Sequence, residues 1–197
     1  LMVVVVDLGA QALDLGLRLR PYGLHRRLDD IEATAHYYNN IAHDLIVGAH
    51  AAGEPVPWEA VARGFLQAIR VDPTFAPAWN NLGVTYARQG HTEEALLSYG
   101  MAAELDGSLA SANLNAGLLL LAEGRATEAV GMLRDALLRD PESSRARYNL
   151  ALALTQTGRL ADALGVASEL GSNSREQQLV GRLNDKRRYY ERAGQQP

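Results

Sequence analysis

The sequence predicts an all-α solenoid, and three observations carry that expectation. The first is a repeat of 34 residues: Gly90, Gly124 and Gly158 recur at that spacing, as do Asp72, Asp106 and Asp140, and Ala95, Ala129 and Ala163. The second is the apolar period inside each unit. Leu82, Tyr86, Leu96, Tyr99 and Leu105 fall at helical rather than strand intervals. The third is punctuation. Pro77 suits a first helical turn, where its missing N–H costs nothing, and Gly90 can take the left-handed conformation that ends a helix. Each unit therefore reads as a hairpin of two amphipathic helices.

The elements follow in chain order. Residues 1–34 do not fit the repeat. Val3 to Val6 is β-branched and Leu15 to Arg20 alternates, so a short β segment is expected here, either a hairpin or the remnant of an upstream domain. The chain opens with Leu and is expected to be a fragment, with any targeting signal upstream. The repeat array is expected over 35–173, in units of about 35–75, 76–109, 110–143 and 144–173.

The first unit is irregular. Tyr37-Tyr38-Asn39-Asn40-Ile41-Ala42 echoes Ala78-Trp79-Asn80-Asn81-Leu82-Gly83 at an offset of 41, seven more than the period. The surplus is assigned to the loop-like stretch Ala51 to Pro57, with some lengthening of the helix before it. A second helix follows from about Trp58 to Val71. The next unit is the most regular, with helices from about Pro77 to Gln89 and from Thr92, read as the capping residue, to Leu105. Glu93 and Glu94 lie near the positive end of that second helix. Asp72-Pro73 and Asp140-Pro141 close the second helices of their units, because proline cannot continue a helix interior. The unit over 110–143 keeps Gly117, Ala129, Ala136 and Pro141 but has Asn113 and Ala116 at sites that are large elsewhere. The last unit decays at Ala167 and Leu170. Residues 174–197 read as a C-terminal capping helix and tail, the polar-faced element a repeat array needs over its last apolar face.

The small residues have a mechanical reason. Gly83 and Ala95 are placed where the two helices of one hairpin come closest, and Ala102 where the second helix meets the next unit. A larger side chain there would push the axes beyond the usual ~8–10 Å.

Trp79, Leu82, Gly83, Tyr86, Ala95, Tyr99 and Ala102 together resemble the tetratricopeptide repeat. Gly107 departs from that pattern, standing where proline is usual, so a looser corner is expected there. The resemblance implies a right-handed superhelix of helix hairpins whose concave groove binds a peptide segment of a partner protein. A second resemblance is narrower. A strand ending in Val6-Asp7, then Arg26-Arg27-Leu28-Asp29-Asp30 and Tyr37-Tyr38-Asn39-Asn40, looks like the junction between a transglutaminase-like (papain-like) domain and its tetratricopeptide tail in some bacterial proteins. It implies an alternative function, a tail that positions substrate for a hydrolase, with Asp7 as the residue that orients the catalytic histidine. The chain has no cysteine and no histidine identifiable on a neighbouring strand, so it holds at most one member of such a triad, and no catalytic site is expected in it.

The candidate binding residues come from the first helices. Asn40, Asn81, Asn115 and Asn149 each lie two residues before the small residue of the hairpin crossing, on the face expected to line the inside of the superhelix. A primary amide offers both a donor and an acceptor and can pair with any peptide backbone. In tetratricopeptide proteins an asparagine here often bonds an extended ligand, and the resemblance implies the same role for these four. Asn80, Arg88, Leu118, Arg145 and Tyr148 complete the expected peptide-binding set, a groove with an apolar floor and a cationic end. The two-lysine clamp of chaperone-tail receptors is not reproduced, because Asn80 and Val84 stand at two of its positions.

Composition bounds the alternatives. Hydrophobic residues make up 47% and charged residues 21%, which suits a folded domain. A net charge of −4 provides no basic field for nucleic acid, so no nucleic-acid partner is expected, and Lys186-Arg187-Arg188 reads as a solvated helix end. The apolar start is too short to span a bilayer. His36, His43 and His50 recur every seven residues, about 10 Å apart along a helix, too far for one metal ion. No metal site or cofactor is expected, and the glycines match no phosphate-binding loop. The compartment, cytoplasmic or periplasmic, stays open, as does pairing between copies through the solenoid ends.

Overall fold

The computed structural model describes residues 24–171 and 174–193. The β segment expected within residues 1–23, and Asp7 with it, lies outside the described residues. Every described element is an α-helix: α1 (Leu24–Ala52), α2 (Trp58–Val71), α3 (Ala76–Gln89), α4 (Thr92–Leu105), α5 (Ala110–Ala122), α6 (Ala126–Arg139), α7 (Ser144–Gln156), α8 (Leu160–Ala167) and α9 (Ser174–Arg192). Helices α1/α2, α3/α4, α5/α6 and α7/α8 pair as hairpins, and each hairpin packs on the next. The first helices α3, α5 and α7 also touch one another directly, so they form a continuous layer.

The first unit shows where its seven surplus residues go. Aligned with α3, four of them extend α1 to Ala52 and three lengthen the loop before Trp58. Helix α1 also begins at Leu24, so residues 24–34, assigned above to the N-terminal extension, are helical and continuous with the first hairpin.

Close approach is built where the sequence placed it. A Cβ on Gly83 would lie 2.6 Å from Cε1 of Tyr99 and 3.1 Å from the Ala95 carbonyl oxygen. One on Gly117 would lie 2.6 Å from Cγ of Leu133. In the first hairpin the glycine changes sides: Gly64 on α2 faces Ala42 on α1, with 2.7 Å between an added Cβ and that of Ala42. Phe65, Leu82, Leu133, Leu154 and Leu160 fill the space around these crossings and are almost fully buried. Burial of such a side chain favours folding by about 1.5–3 kcal/mol.

The start of α4 also departs from the expectation. His91, not Thr92, occupies the N-cap position of α4 and makes no side-chain cap bond, so Thr92 is the first helical residue. Gly90 takes the left-handed conformation at φ 81°, as a helix-ending glycine should. The corners between units rely on aspartate. Asp72 Oδ1 accepts from the Thr74 backbone N–H at 2.9 Å and from its hydroxyl at 2.7 Å. Asp106 Oδ1 accepts from Ser108 N–H at 2.9 Å and Oγ at 2.6 Å. These bonds hold the Asp106 carboxyl below its ordinary range. The corner at Gly107 is therefore tied as the proline-containing one is, contrary to the looser corner expected there. A short polar side chain that folds back on the chain supplies the turn without proline.

The C-terminal helix closes the array. Leu179 and Leu183 of α9 are buried in the same core as Leu150, Leu154, Leu160 and Ala163. Helix α8 is short, and α9 covers the apolar surface that a further hairpin would otherwise cover.

Candidate functional site

The asparagines sit on the layer of first helices, but they are not independent hooks. Asn81 Nδ2 donates to Asn39 Oδ1 at 2.9 Å, joining α3 to α1. Asn115 Nδ2 donates to Asn80 Oδ1 at 3.1 Å, joining α5 to α3. Within their helices Asn39 reaches Asn40 at 3.4 Å and Asn80 reaches Asn81 at 3.5 Å. Five carboxamides thus form a chain that staples three first helices. Each amide has two donors and a two-lone-pair oxygen, so this chain uses only part of its hydrogen-bonding capacity. Asn149 stands apart and donates to the Arg145 carbonyl of its own helix at 2.7 Å.

Further along the layer the expected residues converge on two adjoining depressions. One is lined by Val84, Ala87, Arg88, Tyr99, Asn115, Leu118 and Leu119. The other, of about 410 Å³, is lined by Leu118, Ser144, Arg145, Tyr148, Asn149, Arg175 and Glu176. Leu118 belongs to both and forms the divide between them. Six of the nine expected residues (Arg88, Asn115, Leu118, Arg145, Tyr148 and Asn149) therefore line one continuous surface. Asn40, Asn80 and Asn81 line neither depression and lie along the amide chain toward α1.

Tyr148 is the residue whose setting differs most from the expectation of an open groove wall. It is buried as part of the core that also holds Leu179 and Leu183, and Arg175 of α9 lies over its ring with the guanidinium carbon 4.6 Å from the centroid. Burial also pushes the Tyr99 phenol up to about 12, with the Arg88 guanidinium pulling it the other way, so Tyr99 stays neutral at physiological pH.

Asn39, Arg175 and Glu176 were missed as site residues. Asn39 was legible in principle, since the Asn39-Asn40 and Asn80-Asn81 pairs share the offset of 41. Arg175 and Glu176 fall outside the repeat, and no period points to them. The histidine stripe serves no shared centre: the His36 ring packs 4.4 Å from that of Phe75, while His43 and His50 are exposed. Among the described residues no three His, Asp or Glu side chains converge as metal ligands, and no helix is long and apolar enough to cross a membrane.

Stacked helical hairpins with a continuous layer of first helices define a helical repeat solenoid. Residues 65–96 and 114–173 each match a family model described as tetratricopeptide repeat. The chain is a tetratricopeptide-repeat protein. Among solved structures it is similar to MamA (residues 41 to end) from Desulfovibrio magneticus RS-1, with 20% identity, a TM-score of 0.65, and coverage of 81% of this chain and 89% of that one. It is similar to PilF of Pseudomonas aeruginosa, with 24% identity, a TM-score of 0.65, and coverage of 80% and 72%. It is also similar to YrrB, described as a TPR protein with an unusual peptide-binding site, with 20% identity, a TM-score of 0.56, and coverage of 66% and 64%. At these identities the likeness establishes the fold. No curated protein matches the sequence. Proteins of this repeat family are generally non-catalytic scaffolds for protein–protein interaction.

Proposed function

We propose that this chain is a non-catalytic interaction module that holds an extended segment of a partner protein along its layer of first helices. The observation that carries the reading is the convergence of Arg88, Asn115, Leu118, Arg145, Tyr148 and Asn149, from three first helices, on two depressions sharing Leu118. Leu118 and Leu119 offer apolar floor, and the amides offer donors and acceptors one helix apart. The pairing of Asn81 with Asn39 and of Asn115 with Asn80 fixes the orientation of amides that would otherwise rotate, which lowers the entropy lost when a ligand binds. The peptide-binding site named for YrrB supports the reading at the level of fold.

The test is a binding isotherm with labelled peptides on the full chain. Combined Asn81→Ala and Asn115→Ala should weaken a selected peptide at least severalfold while far-ultraviolet circular dichroism stays unchanged. Undiminished affinity in the folded double variant would remove the amides from the mechanism.

A further inference from the structure

The depression at the C-terminal end of the layer is not built by repeats alone. Its wall on one side is α9, which contributes Arg175 and Glu176, and on the other α7, which contributes Arg145, Tyr148 and Asn149. We propose that α9 is part of the recognition surface as well as a cap, and that Arg145 and Arg175 together form a subsite for an acidic side chain of the bound segment. The proposal rests on the groove reading above and specifies the chemistry of its ligand.

Three features support it. The first is geometry. The Arg175 guanidinium carbon lies 4.6 Å over the centroid of the Tyr148 ring, so the ring holds this cation at the depression that Arg145 also lines. A guanidinium can bind a carboxylate through two N–H groups at once. The second is availability. The ion pairs among the described residues engage Arg125, Arg147, Arg159, Arg187 and Arg188, and neither Arg145 nor Arg175. The third is charge segregation. The chain has 23 acidic against 19 basic residues, yet the two depressions bring together Arg88, Arg145 and Arg175 with the single carboxylate of Glu176. A local excess of positive charge in an acidic protein favours an acidic ligand and repels a basic one.

A side-chain carboxylate fits better than a chain terminus. Asn149, the amide beside the subsite, commits one of its two N–H bonds to the Arg145 carbonyl, so the two guanidinium groups supply most of the donors there. Leu118, on the divide, would seat an apolar side chain next to the acidic one. The expected ligand is therefore an acidic residue beside an aliphatic one within a longer segment.

The experiment is selection of a random twelve-residue phage library on the full chain, followed by titration of synthetic copies of the winners. The proposal expects Asp or Glu next to an aliphatic residue among the winners. It expects affinity to fall with salt, and roughly three- to tenfold in each of Arg145→Gln and Arg175→Gln. Both substitutions are at exposed side chains and should leave helicity intact. Winners without acidic residues, binding indifferent to both arginines but lost in the Asn81/Asn115 double variant, would leave the groove reading standing and overturn the subsite. Dependence on a free C-terminal carboxylate, seen as loss on amidation, would overturn it as well. A selection that enriches no peptide would overturn both.

Discussion

At Gly83 a single added methyl group would sit 2.6 Å from the Tyr99 ring. Gly83→Ala should therefore cost about 1–3 kcal/mol, and Gly83→Leu considerably more, because the hairpin has to open to admit it. Urea unfolding measures this, and an unchanged midpoint for the leucine variant would contradict the crossing. The site that holds Trp79 shows how a repeat tolerates change. Trp79 donates its indole N–H to the Pro73 carbonyl at 2.9 Å, and its counterpart Arg147 donates to the Pro141 carbonyl. Asn113, the counterpart between them, is buried and faces Arg139, whose Nε and Nη1 lie 3.2 and 3.1 Å from the amide oxygen turned toward them. Arg139→Leu should cost about 1–3 kcal/mol by leaving that amide unpaired, and Asn113→Leu in the same chain should recover much of it. A double-mutant cycle in denaturant reads both numbers. Tyr99 adds a pH dependence. Burial raises its folded pKa to about 12, above the ordinary value near 10, so the unfolded chain loses this proton first. Its contribution is intact below pH ~10 and is lost as pH rises toward ~12, so Tyr99→Phe should flatten the alkaline fall in stability over that window.

Helices here are stable through their neighbours rather than alone. Helix α8 spans only Leu160–Ala167, too short to hold in water unaided, and Leu179 and Leu183 of α9 pack into its core. Truncation after Gly171 should release α7 and α8 first, seen as fast amide exchange there while α3 to α6 stay protected. It would also uncover apolar surface around Leu150, Leu154 and Leu160, and light scattering should show increased self-association. Protection of α7 and α8 unchanged by the truncation would deny α9 its capping role. The same helix supplies Arg175 to the depression beside Tyr148, so one element serves stability and the candidate site together.

Across the whole molecule, contacts run between successive helices and between first helices of adjacent units. Stability in such an array is close to a sum of unit and interface contributions. Leu133→Ala, at a fully buried residue against Gly117, should cost about 2–5 kcal/mol. The loss should fall mainly on α5 to α8 and leave α1 and α2 largely protected, which hydrogen exchange resolved by segment will show. Uniform loss of protection would mean that the chain unfolds as one unit.

The 34-residue period, the helical spacing of Leu82, Tyr86 and Tyr99, and the helix-ending Gly90 made the hairpins legible from sequence, because each is a local signal repeated at a regular interval. So were the crossings at Gly83 and Gly117, since only a small residue admits two close axes. Tertiary structure decided the rest. That Asn81 meets Asn39 and Asn115 meets Asn80 depends on how neighbouring first helices rotate against each other. That Arg175 covers Tyr148 depends on where a helix outside the repeat comes to rest. A periodic pattern encodes what each unit does to its own chain and its next neighbour. The amide chain and the arginine pair are relations between side chains at irregular separations, and those exist only once the hairpins are stacked.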